Sequence, residues 1–377
     1  QVMPGGLARV SEGEKSLFGN QGSGLSKDVW IRSNTVPGPM SIARSVRENL
    51  PERPEITPSR TGENLFWTGR YAERTYAISR YASRMIEGNV RGFARERGIE
   101  RRHEQDLVRS LCHVFDMSVP MLNTPEKGSL LQTICLNPHS SIGLPFNLKA
   151  FRRAAMRTRE EWSPISMRAI SETVDGWVDP YIRPDGDALI ESRLDDLQLS
   201  LTAFLGLNLD NMTRDEGWAL LDAGRRVERA AFVLGILGFL FEAKLKDDVS
   251  TLFNESLLVI LDSARTYQAK YQAAPHTHFT LQLLLGEKDY PRSVLCMLLR
   301  LQADLDMLPE PAHTEHPRVC LTNAIELTKR AVATAIDNQG ADGNLAASAA
   351  LIEQLRDQLA DLSDRITTAF FSLSQER

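Results

Sequence analysis

From Ser59 onward, apolar residues recur at three- and four-residue steps, the period of helices that bury one face. The clearest case is the last stretch, where Leu355, Leu359, Leu362, Ile366 and Phe370 form one stripe. Cutting this zone at its Pro, Gly and polar breakers predicts helices over 59–88, 104–121, 148–161, 164–177 and 188–206. The second ends near Pro120 and Pro125, and the turn Arg183-Pro184-Asp185-Gly186-Asp187 leads into the fifth. Thr213-Arg214-Asp215-Glu216 reads as a capping box that opens a long helix to about Ala243. Further helices follow over 249–273, 291–306, 316–337 and 345–373. The run Ala230–Phe241 is apolar on every side, which predicts a helix buried all round. It is too short for the roughly 20 residues that span a bilayer. The pattern predicts an all-α fold, a multi-helix bundle.

The front of the chain follows another pattern. Residues 1–35 are Gly- and Ser-rich with two β-like runs, Leu7–Val10 and Val29–Ile31, and predict a short irregular segment with strand character. Residues 36–58 carry Pro37, Pro39, Pro51, Pro54 and Pro58 among charged residues and read as an extended linker. The helical domain then occupies 59–377. The opening Gln1-Val2-Met3-Pro4-Gly5-Gly6 has neither the basic nor the apolar part of a secretory signal, and the absence of an initial Met points to an upstream portion.

Composition narrows the function classes. Among 377 residues, 44 Lys and Arg oppose 49 Asp and Glu, a net charge of −5, which argues against a dedicated nucleic-acid partner. A hydrophobic fraction of 42% suffices for a sizeable core. Cys112, Cys135, Cys296 and Cys320 form no CxxC pair, so neither a disulfide framework nor a zinc site is expected. A reducing, cytoplasmic setting without a membrane partner is the expectation.

The most informative feature is a repeat. Gly69-Arg70-Tyr71-Ala72-Glu73-Arg74 and Gly224-Arg225-Arg226-Val227-Glu228-Arg229 both read GRxxER, about 155 residues apart. An Arg, an acid and a Trp precede each copy: Arg60, Glu63 and Trp67 in one, Arg214, Glu216 and Trp218 in the other. At about 100° per residue, Glu63, Trp67, Arg70 and Arg74 share a stripe, and so do Arg214, Trp218, Arg225 and Arg229, with Glu228 beside them. Leu65, Phe66, Leu220, Leu221, Phe232 and Val233 flank these stripes, so the guanidiniums are partly desolvated and need partners. A Gly inside a helix costs about 1 kcal/mol against Ala; one before the Arg in both copies points to close approach of another backbone.

Two readings of the repeat compete. In the first, Glu63, Glu73, Glu216 and Glu228 neutralise Arg70, Arg74, Arg225 and Arg229 in a structural ionic lattice between two pseudo-symmetric helices. In the second, surplus guanidiniums hold a phosphate, a peptide C-terminus or an acidic group of a partner. The structural reading leads, because an acid accompanies every Arg pair. No nucleophile–base arrangement stands out. An enzyme with Glu63 or Glu228 as general base remains the alternative, although flanking arginines lower the pKa of a carboxyl and weaken it as a base. A purely structural oligomerisation bundle is a third option.

The block Ser59-Arg60-Thr61-Gly62-Glu63-Asn64-Leu65-Phe66-Trp67-Thr68-Gly69-Arg70-Tyr71-Ala72-Glu73-Arg74 resembles the opening of the alpha-E domain family, an all-helical domain named for its ER motif. Met212–Trp218, with Gly224-Arg225 and Glu228-Arg229, is similar to the family's later motif, and Tyr290-Pro291-Arg292-Ser293-Val294 to a further segment. The resemblance covers about 59–373. Val2–Val10 and Gly24–Trp30 resemble the closing segment of circularly permuted ATP-grasp proteins, which are similar to amide-forming ligases. That resemblance implies a fusion to the end of such a ligase, a permuted ATP-grasp domain or protein as partner, a transglutaminase-like protein as companion, and peptide or amide-bond chemistry. It implies ATP and Mg only for a complete ATP-grasp partner. No cofactor is expected within this chain.

Other motifs fall short of a site. Gly19–Lys27 mimics a P-loop, but Lys-Ser/Thr does not follow its second Gly. The ExxH pairs Glu100–His103 and Glu310–His313 have Gly98 and Pro311 in or beside them, and His276, His278, His313 and His316 sit near prolines in expected loops. The Arg-rich span 91–109 reads as a solvated helical face.

Overall fold

The structure, a computed structural model, describes residues 6–10, 25–29, 57–90, 97–115, 127–178, 187–243, 247–310, 317–336 and 342–371. The chain divides into two compact units, 1–55 and 56–377. In the first, strands β1 (Gly6–Val10) and β2 (Leu25–Val29) pair antiparallel, with Gly6 opposite Val29 and Val10 opposite Leu25. The second strand begins earlier than its apolar residues suggest, because pairing of the backbone takes in Ser26, Lys27 and Asp28. The P-loop-like residues 19–24 and the linker prolines before Thr57 lie outside the described residues.

The second unit is helical, as its periodicity predicts. Its elements are α1 (Ser59–Val90), α2 (Arg97–Val114), α3 (Lys127–Leu136), α4 (Leu144–Met156), α5 (Pro164–Val178), α6 (Asp187–Asn211), α7 (Glu216–Glu242), α8 (Asp247–Ile260), α9 (Ala264–Tyr271), α10 (Thr277–Leu281), α11 (Val294–Asp306), α12 (Pro317–Ile336) and α13 (Asp342–Phe371). A 3-10 turn at Arg159–Glu161 follows α4, and a π turn at Gln282–Gly286 continues α10.

Several boundaries differ from expectation for identifiable reasons. α4 starts at Leu144 rather than 148 because Pro145 sits in its first turn, where the missing N–H costs nothing. The expected helix over 249–273 is two helices. The chain breaks at Asp262, whose φ of 53° is left-handed, and the Ser263 N–H donates to the Leu258 carbonyl at 2.7 Å. Glu100 and His103 lie within a helix after all, since α2 begins at Arg97, ahead of Gly98. Residues 311–316, with His313 and His316, lie outside the described residues.

α1 and α7 form the centre. α4 and α6 flank α1, α2 and α11 flank α7, and α13 packs against both. The run Ala230–Phe241 is buried save for partial exposure of Ala231 and Phe241, in keeping with its all-round apolar character. On α13, Leu355, Leu359, Leu362 and Ile366 are buried on the face that the stripe predicts. All four cysteines are free and buried. No described helix is long and apolar enough to cross a membrane.

Candidate functional site

The two repeated helices lie against each other and run in the same direction: Gly62 sits by Leu220 near their starts, and Arg74 by Glu228 further along. Their closest approach is at the glycine before each motif. A Cβ on Gly69 would fall onto the Leu221 carbonyl oxygen, and a Cβ on Gly224 onto the Phe66 carbonyl oxygen. The contacts are reciprocal. Gly62 meets Leu220 as Gly217 meets Leu65, so each contact reappears with the two helices exchanged, the pattern of a two-fold axis between equivalent rods.

Their ionic groups follow the same exchange. Glu228 accepts from Arg70 Nε at 2.7 Å and is gripped side-on by Arg74, through Nε and through Nη2 at 3.0 Å. Glu73 accepts from Arg225 Nε at 3.2 Å and is gripped side-on by Arg229, through Nε at 3.0 Å and through Nη2. Each carboxylate thus takes one guanidinium of its partner helix in a fork and the Nε of a second. Glu73 is 3% exposed and Glu228 7%, so these charges are held away from water. Burial acts to raise the Glu73 carboxyl, but Arg229 and then Arg225 outweigh it and hold the pKa below the usual carboxylate value. Burial acts likewise on Glu228, and Arg70 and Arg74 outweigh it. Both groups are therefore ionised at neutral pH.

Around this shared frame the halves differ. On the Glu73 side, Arg225 Nη1 also donates to Asp222 Oδ1 at 3.0 Å. Arg226 bridges Asp222 and Asp304, the latter at 3.0 Å from Nε. Burial, and next the Asp222 carboxylate, push the Asp304 pKa up to about 7 against the pull of Arg226. Arg292 adds positive charge here: it acts on Glu73, lies over the Tyr76 ring at 5.9 Å and pairs with Asp262 at 3.0 Å. On the Glu228 side, Arg70 Nη1 donates to the Ser363 hydroxyl at 2.6 Å, and aromatic rings surround the guanidiniums.

Four residues expected in the lattice stand apart from it. Arg60 is exposed and makes no ion pair among the described residues. Glu63 is half-buried, and no ion pair reaches it among the described residues. Arg214 precedes α7 and is exposed; it stacks over Trp218 at 4.1 Å and donates to the Leu209 carbonyl at 2.7 Å. Glu216 accepts from the Thr57 backbone N–H at 2.7 Å rather than from an arginine. The capping box is corrected as well. Asp215 is the N-cap, accepting from the Trp218 N–H at 3.1 Å, since a carboxylate there also meets the positive end of the helix. The reciprocal register sets Trp218 opposite Glu63 and Trp67 opposite Asp222, so the two tryptophans are not equivalents.

Asp222, Arg226, Asp304 and Ser363 were missed by sequence reasoning. Asp222 could have been found by spacing, as it lies three and four residues before Arg225 and Arg226. Asp304 was visible only as an acid on an apolar helix face, and Ser363 carried no signal. Among the described residues no group of three or more His, Cys, Asp or Glu could hold a metal ion.

Comparison with known proteins agrees with this architecture. Residues 57–371 match Alpha-E, described as a predicted alpha-helical domain with a conserved ER motif. The chain belongs to the Alpha-E family. Each GRxxER copy ends in an ER pair, Glu73-Arg74 and Glu228-Arg229, and in this Alpha-E chain both pairs lie in the lattice. The chain is 22% identical over 381 residues to Uncharacterized protein Rv2567 of Mycobacterium tuberculosis (strain ATCC 25618 / H37Rv), covering 92% of this chain and 41% of the relative. Uncharacterized protein Mb2597 of Mycobacterium bovis (strain ATCC BAA-935 / AF2122/97) is similar to the same extent, 22% over 381 residues with the same coverage. The Alpha-E chain thus spans less than half the length of these relatives. No solved structure matches it significantly.

Proposed function

We propose that this Alpha-E chain is a helical interaction module serving an ATP-grasp-type amide ligase, with its Arg/Glu lattice fixing the core and its residual positive charge holding an acidic group of a substrate or partner. The observation that carries the reading is the state of the two motif glutamates. Each is buried, gripped by two guanidiniums and held below its ordinary pKa, which suits it to organising charge and ill suits it to taking up protons near neutrality. The alternative of Glu228 as a general base loses ground for that reason. The ligase assignment draws on the likeness of Val2–Val10 and Gly24–Trp30 to the end of permuted ATP-grasp proteins, and a transglutaminase-like companion draws on the same likeness.

The test is association and activity. The 377-residue chain would be mixed with the permuted ATP-grasp protein of the same genome, followed by size-exclusion chromatography and by ATP turnover with an acidic peptide and an amine. Co-elution with increased ATP-dependent amide formation is expected. Separate elution with unaltered turnover would overturn the reading.

A further inference from the structure

The lattice is built alike in its halves and balanced differently. Exchanging the two helices carries Trp67 onto Asp222 and Tyr71 onto Arg226, so an aromatic pair replaces an acid–base pair. Arg225 Nη1 donates to the Asp222 carboxylate, whereas the corresponding Nη1 of Arg70 donates to the uncharged Ser363 hydroxyl. The formal charges follow. Arg225, Arg226 and Arg229 meet Glu73, Asp222 and Asp304, but Arg70 and Arg74 meet Glu228 alone. With Asp304 ionised and Arg292 paired to Asp262, one guanidinium charge is in excess, and it lies on the aromatic side.

That side is walled rather than neutralised. The Arg70 guanidinium lies 5.2 Å from the Trp67 ring, and that of Arg74 lies 5.7 Å from Tyr71 and 5.9 Å from Phe115. Arg70 Nη2 and Arg74 Nη1 donate no hydrogen bond among the described residues, and the two side chains keep 14% and 20% of their surface exposed.

We propose that Arg70 and Arg74, walled by Trp67, Tyr71 and Phe115, form a binding site for a single carboxylate group, presented by a peptide or by a small free acid. This rests on the interaction-module reading and names the group that the module holds. A carboxylate brings one negative charge to one surplus positive charge, and its two oxygens suit the planar N–H edges of guanidinium. A phosphate dianion would overshoot that balance beside the Glu228 carboxylate, which disfavours it.

Calorimetric titration of the 377-residue chain tests the site, with acetyl-Gly-Gly bearing a free carboxylate, the same peptide as its C-terminal amide, sodium acetate and inorganic phosphate as probes. The acid peptide is expected to saturate and the amide not. Arg70→Met risks the fold, so Ser363→Asp carries the mutational arm. It sets a carboxylate beside Arg70 Nη1, as Asp222 stands beside Arg225. The variant should melt no lower than the parent and bind the acid about tenfold more weakly or worse. The acid-against-amide comparison on the unaltered chain stands without any variant. Acetate binding as tightly as the peptide identifies a small acid as the source, and tighter peptide binding identifies a peptide end; both support a carboxylate site. Equal binding of acid and amide, preference for phosphate, unchanged affinity in a folded Ser363→Asp, or no saturable binding up to about 10 mM would overturn it. Such a failure leaves co-elution with the ligase untouched, and loss of co-elution leaves carboxylate binding untouched, so the two readings fail separately.

Discussion

Glu228 shows what one buried carboxylate carries at the scale of a residue, since three guanidinium N–H groups from two arginines end on it. Glu228→Gln removes the charge and leaves Arg70 and Arg74 buried against a neutral amide. A loss of about 3–5 kcal/mol is expected, read as a lower urea midpoint. Arg60→Met, outside the lattice, should leave that midpoint where it is. Asp304 brings an opposite pH dependence. Its folded pKa of about 7 stands above the 3.8 of an ordinary Asp, so the stability linked to its protonation is full below pH 3.8 and lost as pH rises through about 7. Glu73 and Glu228 are lowered from 4.5, so their contribution is present above that value and lost as pH falls through their folded pKa values. In Asp304→Asn the first term is gone. The urea midpoint of the variant relative to the parent should rise between pH 5 and pH 8, as measured at about equal ionic strength, and a difference flat across that interval would count against the Asp304 assignment.

At the scale of the element, glycine position decides between cost and gain. Gly69→Ala or Gly224→Ala drives a methyl into a carbonyl oxygen of the facing helix and should destabilise by about 1–3 kcal/mol. Inside α6, Gly206 is exposed with open space where a Cβ would go, so Gly206→Ala should gain about 1 kcal/mol from helix propensity. Thermal melts of the three variants check both signs. Much of this was legible in the sequence: the helical period gave α1, α7 and α13, and the paired glycines pointed to a backbone contact. The break at Asp262 was not legible, because an Asp-Ser pair with neither Gly nor Pro carries no strong stop signal. Nor were the partners of Arg70 and Arg226 on α13 and α11. Spacing along one helix predicts which side chains share a face, and it is silent on which distant element supplies the acceptor. The same spacing draws the front acids Glu63 and Glu216 towards the arginines, yet in the structure Glu216 accepts from the Thr57 N–H and neither joins the lattice.

At the scale of the whole molecule, the chain spans 41% of the length of its curated relatives and divides into two compact units, 1–55 and 56–377. Within the helical unit, the place where Gly69 and Gly224 bring two main chains together has a kinetic consequence. At each glycine the main chain meets a carbonyl of the facing main chain, a contact that no change of rotamer can open, so the rods separate there only by moving as wholes. Amide protons over 66–73 and 221–228 should therefore be the last to exchange with deuterium, at a rate set by global unfolding, while the ends of α9 and α10 exchange early through local opening. Mass-resolved exchange on peptides from the folded chain would read that order directly, and early exchange at the two glycines would mean that the rods breathe apart on their own.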